Sequence, residues 1–369
     1  MTTTDSERQF GSDQSRGPTA PDDAAHPGGL THQRERLSIR DWAVRCWSDP
    51  RRRRGSIGWA ALAASVVVYF FVAGIPWSTN WVFIYITAGI VVSSLGTGVR
   101  WKRLLVDWLP FYLVLFVYSL LRDYASHTLW GPFVKPQIWF DAHVFGGLTP
   151  TVQLQEWLFS PALHVWDYPI WGCYMSHFFV SFIIAGVLWK TNHPRFRRFA
   201  ALFVGLTFAG YVTYVLYPAM PPWMAYQTGH LGQVTRIIPV VLDHLHLHSG
   251  AAVFTGGNKF DNNVAAVPSI HGAYPMLICL FFWKAARVRK RILLAAYPLC
   301  MAFTLVYTGE HFVIDIFLGW LYAAAVFSFG SKLLNRWEAR QLRRQLGQGS
   351  DHGAPAPLRR DGSDHIWVG

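Results

Sequence analysis

Eight mostly apolar stretches follow one another along the chain: Ile57–Ile75, Trp81–Leu95, Leu104–Leu121, Tyr168–Trp189, Phe199–Leu216, Ile270–Ala286, Ile292–Tyr307 and Phe312–Leu333. A helix crossing the hydrocarbon core of a bilayer needs about 20 such residues. The pattern predicts an all-α fold, a polytopic transmembrane helix bundle with about eight spans. The second stretch is diluted at its end by Ser93, Ser94 and Gly96. Polar sequence flanks the apolar block. Residues 1–33 are rich in Ser, Asp, Pro and Gly and carry no apolar core of a cleavable signal peptide, so they read as a disordered tail. The first span would then act as an uncleaved signal anchor. A basic juxtamembrane segment, 34–55, leads into a membrane domain at 56–336, and 337–369 reads as a second disordered tail.

Charge orients the spans. Basic clusters lie at Arg34–Arg54, Arg100–Arg103, Lys190–Arg198, Lys284–Arg291 and Lys332–Arg340. Eight alternating spans put every one of them on the same side, which the positive-inside rule makes the cytoplasm. An odd count would break that agreement, so the number of spans is even and both termini are cytoplasmic. Composition agrees: 52% of the 369 residues are hydrophobic and 15% charged, against about 25% charged in soluble proteins. The net charge of +12 sits beside apolar runs, which fits topology and anionic lipid and argues against a nucleic-acid footprint. The four cysteines show no CxxC or regular spacing, so neither a metal site nor a disulfide framework is read from them.

Two long segments fall on the outer side, about 122–167 and 217–267. Loops of that length usually have a task. Within the first, Thr149–Leu158 reads either as an interfacial amphipathic helix or as a plain linker helix. Many titratable residues gather at the outer span ends, among them Arg122, Asp123, Lys135, Asp141, His271, Glu310, His311 and Asp315, whereas Asp107 and His177 are the main ones inside spans. That distribution favours chemistry at the outer face over transport, which more often places such groups near the midplane.

Two segments carry the chemistry, Ala266–Gly272 and Thr304–Asp315. His311 and Asp315 are spaced i and i+4, which predicts one shared helix face. A carboxylate there accepts a hydrogen bond from one imidazole N–H, which fixes the tautomer and leaves the other nitrogen free as a nucleophile. Pro268 and Ser269 open the sixth apolar run, where Ser caps a helix and exposed N–H groups bind anions. His271 lies about one turn in and can protonate a leaving oxygen as general acid. Each element alone is common, as a cap or a helical side-chain pair. Their combination at one membrane depth is specific.

Pro268-Ser269-Ile270-His271 resembles the second signature motif of the type 2 phosphatidic acid phosphatase superfamily, and His311 with Asp315 resembles its third. The resemblance covers roughly Arg122 to Leu333. It implies a helical bundle with a PAP2-like catalytic core, a cofactor- and metal-independent mechanism and a phosphohistidine intermediate. By position, His311 is the nucleophile, Asp315 its orienting partner, His271 the general acid and Ser269 a phosphate contact. The family's phosphatases carry Ser-Arg ahead of the third-motif histidine, where this chain reads Thr304-Leu305. The first motif ends in something like Lys135-Pro136, with Thr128 at its lysine position. These departures, with Leu121-Arg122-Asp123 and Tyr217–Trp223, resemble the branch of inositol phosphorylceramide synthases and their bacterial relatives. That branch often passes the phosphate-bound group to or from a lipid alcohol instead of water, so the resemblance implies a membrane lipid substrate, with inositol, another alcohol or water as acceptor. A phosphoryl transition state needs cations. Arg122, Lys135 and Lys259 are the candidates, each with the alternative of a snorkelling or solvated charge.

Other signals are less specific. Gly256–Asn263 reads as an anion-binding nest or an ordinary turn. His244, His246 and His248 would share a face in an extended strand, but only Asp243 joins them, so no metal site is assigned. The rival of another class is a non-catalytic transporter or scaffold on the same bundle.

Overall fold

Apolar runs of this length must satisfy every backbone group internally in lipid, and helices do so. The computed structural model describes residues 48–73, 79–95, 104–110, 112–113, 131–247 and 264–350. All fall in one unit, Cys46–Gly369. Helices account for nearly all of it. They are α1 (Pro50–Ala73), α2 (Thr79–Leu95), α3 (Lys135–Val144), α4 (Pro150–Leu158), α5 (Asp167–Thr191) and α6 (His193–Leu216), followed by α7 (Pro222–Gln227), α8 (Ile237–His244), α9 (Ile270–Trp283), α10 (Val288–Tyr307) and α11 (Val313–Ser350).

Four of these helices are long and apolar enough to cross a membrane among the described residues: α5, α6, α10 and α11 through Gln345. The fold is a helical membrane bundle. α9 is apolar but has only 14 residues, a rise of about 21 Å, because its outer end gives way to the Pro-Ser cap. Of the expected third span, 104–110 and 112–113 are helical and the rest lies outside the described residues. The core lies among α5, α6, α9, α10 and α11. Ala185, Phe199, Leu206, Ala273, Leu277 and Ala323 are all fully buried within one cluster there.

α11 runs to Ser350, beyond the expected domain end at Arg336. Ala339, Arg340, Gln341, Leu342, Arg343 and Arg344 are strong helix formers, so the helix continues where a disordered tail was expected. Arg198 ties this extension to α6, donating to Glu338 at 2.9 Å and Asn335 at 2.6 Å.

The outer segments pack onto one end of the bundle. Phe133, Ala219 and Ala265 align in two parallel backbone bridges. Gln155 of α4 braces two distant loops, donating to the carbonyls of Thr235 and Tyr307, each at 2.8 Å. Thr235 N–H donates back to Gln155 Oε1 at 2.8 Å. α4 therefore buries polar Thr151 and Gln155 against the protein and leaves Trp157 71% exposed, the orientation of a helix whose aromatic face meets the membrane interface. His244 ends α8 and His246 turns at φ 57°, so these two do not sit in the extended strand that alternation suggested.

Candidate active site

Ser269 begins the site. It is fully buried and caps α9, its Oγ accepting from Gly272 N–H at 3.2 Å. That bond leaves the hydroxyl proton as a donor. Its own N–H donates to the Asp315 carbonyl at 2.9 Å, which joins the two motif segments through the backbone. His271 follows as the second residue of α9.

His311 and Asp315 meet, but not on one helix face. α11 starts at Val313, so His311 stands just before it. Asp315 reaches back over the helix N-terminus and accepts from Phe312 N–H at 3.0 Å. Its Oδ2 is 3.5 Å from His311 Nδ1, an ion-pair approach longer than a tight hydrogen bond. Such contacts often tighten only with substrate bound. Both side chains are buried, with His311 5% and Asp315 0% exposed. The Nδ1 edge faces Asp315, which leaves Nε2 as the nitrogen able to act on a substrate.

The histidine rings cluster. His271 and His311 have centroids 5.6 Å apart. His177 of α5 packs against His271 at 4.1 Å and stacks on Tyr274 at 5.1 Å. Tyr174 stacks on His271 at 5.1 Å. Among the described residues, His271 Nε2, His177 Nδ1 and His311 Nδ1 are buried without a hydrogen-bond partner. Ring nitrogens with that freedom, beside a buried carboxylate, suit proton and phosphoryl transfer.

The sequence reading did not give Asp141, Arg236 or Glu310 a role at the site. Asp141 of α3 is fully buried and accepts from Val313 N–H at 2.9 Å and Ile314 N–H at 3.2 Å. It caps the helix that presents Asp315. Burial pushes its carboxyl up to about 6, against the pull of those two N–H groups and with a further push from Asp315. Arg236 pairs with Glu310 through Nε at 2.8 Å and Nη2 at 3.2 Å. The only cue to Arg236 was a cation directly ahead of the apolar Ile237–Leu242.

Of the named cations, Lys135 is exposed at the start of α3. No hydrogen bond or ion pair joins it to the histidines among the described residues. Arg122, Lys259 and the whole Gly256–Asn263 loop lie outside the described residues. Thr304 and Leu305 are buried, the latter in the core with Tyr174, Met175 and Ile316. No group of three or more His, Cys, Asp or Glu side chains among the described residues is arranged to hold a metal.

Comparison with known proteins matches residues 147–329 to the model of the PAP2 superfamily. The chain is also similar to a phosphoinositol dihydroceramide synthase of Bacteroides thetaiotaomicron. The two are 24% identical over 253 residues, 63% of this chain and 78% of that protein. No solved structure matches.

Proposed function

Because the chain belongs to the PAP2 superfamily, we propose that it is a membrane phosphotransferase moving a phosphate-bearing group from a lipid to an alcohol such as inositol, through a phosphohistidine on His311. That it is a membrane enzyme, a lipid phosphotransferase or phosphatase, follows from the family and the similar synthase. The finer reading rests on one observation: His311, backed by Asp315 at 3.5 Å, lies in a buried cluster with His271 at a ring separation of 5.6 Å.

In this reading Asp315 keeps the proton on His311 Nδ1. The Nε2 lone pair attacks phosphorus, the P–N bond forms and the P–O bond to the leaving oxygen breaks. His271 gives that oxygen its proton. The acceptor hydroxyl then loses its proton to His271 as its oxygen attacks phosphorus. The P–N bond breaks and both histidines return to their starting states. Ser269 O–H contacts the phosphate, and Arg122, Lys135 and Lys259 remain candidate cations. The similar synthase, and the core-buried Leu305 where the family's phosphatases have arginine, favour transfer over hydrolysis. The active site faces the side opposite the basic loops, at the plasma membrane's outer surface.

The test uses purified protein in detergent and chelator with lipid phosphates and phosphodiesters, with and without inositol, read by mass spectrometry. The expected product is a new inositol phosphodiester. It should fall by on the order of 10²-fold or more in His271→Ala, Asp315→Ala and His311→Ala. Free phosphate as the only product would establish hydrolysis. Full turnover by His311→Ala would end the phosphohistidine reading.

A further inference from the structure

A short helix that faces water buries its apolar side and shows its polar side. α3 and α4 do the reverse. In α3, Gln137 and Asp141 are spaced i, i+4 and are both buried. Trp139, about 200° round the helix from each, is 60% exposed. α4 repeats the pattern, with Thr151 and Gln155 buried and Trp157 exposed. Phe145 and Leu148, in the turn between the two helices, are exposed as well. Val165, 80% exposed, and Trp166 carry the apolar surface to the first residue of α5, Asp167. α5 is long and apolar enough to cross the membrane, and its Ile183 is exposed. The apolar face of the two short helices is thus continuous along the chain with a surface that lipid covers.

The polar faces have another task. Asp141 accepts from the N–H groups of Val313 and Ile314, and Gln155 donates to the Tyr307 carbonyl. Both short helices are therefore fastened, on their buried side, to the segment that carries His311. Lys135 and Glu156 are exposed on the same two helices. Charges are costly in hydrocarbon, whereas tryptophan favours the headgroup level. Together they select the interface over the bilayer interior.

We propose that α3 and α4, with the residues joining them to each other and to α5, form a collar that docks in the lipid headgroup layer on the histidine side of the bundle and holds His311 at the depth of lipid phosphates. The partner is the bilayer surface itself. A helix is about 10 Å across, so a collar lying among headgroups keeps the segment fastened to its inner side in the same layer. A lipid phosphate then reaches His311 by moving sideways, without leaving its leaflet. That consequence rests on the phosphotransfer reading above, and the docking itself does not.

The test reads depth without turnover. The full chain, with its four cysteines replaced, is reconstituted in phosphatidylcholine vesicles as Trp139→Cys, Leu148→Cys or Trp157→Cys, each labelled with a bimane fluorophore. Leu148 lies in the turn, so its variant reports even where loss of a tryptophan upsets a helix, and thermal unfolding of each labelled protein is the folding control. The quenchers are phosphatidylcholine spin-labelled on its headgroup, phosphatidylcholine spin-labelled deep in its acyl chain, and aqueous iodide. The headgroup label should quench all three probes about twofold or more beyond either of the others. Quenching by iodide alone would put the face in water and overturn the docking. Strongest quenching by the acyl-chain label would overturn the headgroup depth. Protection from all three quenchers would overturn the proposal too, because protein would then cover the face, either a second copy of the chain or the segment 248–263. Headgroup-quenched probes on a protein that turns over no lipid would end the phosphotransfer reading and leave the collar standing.

Discussion

Asp141 is an anion placed at the N-terminus of α11, with two helix N–H groups on its oxygens and no exposed surface. The macrodipole and the bonds favour the carboxylate, and burial opposes it. Burial prevails, because the carboxyl is pushed from 3.8 to about 6. The folded chain therefore holds more protons at this position than the unfolded chain between those two pH values. Linkage then makes the Asp141 contribution to stability fall as pH rises from about 4 to about 6, and level off above. Asp141→Asn keeps an acceptor oxygen and removes the titration. The difference in melting temperature between wild type and Asp141→Asn in detergent should change in that window, with the wild type losing ground as pH rises. A constant difference from pH 4 to 7 would show that Asp141 does not titrate there. At this scale the sequence was legible where partners are close along the chain. Ser269 with His271, and His311 with Asp315, could be read because each pair sits in one short segment. Asp141, Gln155 and Arg236 could not, because their partners lie 172, 152 and 74 residues away and no local period encodes such a meeting.

Between elements, the decisive contact is α9 against α11. Ser269 N–H donates to the Asp315 carbonyl at 2.9 Å, so the register of these helices sets the distance between His271 and His311, the proposed general acid and nucleophile. Gly319 permits the approach, since a Cβ there would overlap the Ser269 carbonyl. Backbone cannot yield as a flexible side chain can. Gly319→Ala should cost about 1–3 kcal/mol and lower kcat by moving Ser269 and His271 from His311. Gly205→Ala is the control, because its Cβ would meet Val326 Cγ1 at an ordinary 3.7 Å. It should leave turnover essentially unchanged and the melting temperature unchanged or raised, since alanine is the better helix former. Equal effects of the two substitutions would show that Gly319 matters only for helix propensity. Apolar runs announced both helices, but not the pairing. The i, i+4 spacing also gave the right partners by a different route, since His311 precedes α11 and Asp315 folds back over its N-terminus.

Across the whole molecule, chemistry and basic charge occupy opposite ends of the same helices. α9 starts at the Ser269 cap and ends at Lys284, and α5 carries Tyr174 and His177 toward the site with Lys190 in its last turn. α11 starts beside His311 and carries Glu338 down to Arg198. In the proposed topology, which applies the positive-inside rule to this arrangement, Lys284–Arg291 and Lys190–Arg198 would share the cytoplasm and the histidines would face out. The bundle lets that orientation be tested at two exposed positions away from the site. Gln227 ends α7 on the histidine side, and Ala285 lies in the turn between α9 and α10. In a background with its four cysteines replaced, a membrane-impermeant maleimide should label Gln227→Cys in intact cells. It should label Ala285→Cys only after permeabilisation. The reverse pattern would put the active site in the cytoplasm. The lipid substrate and alcohol acceptor would then have to be drawn from the inner leaflet and the cell interior, although the site chemistry at His311 would be unchanged.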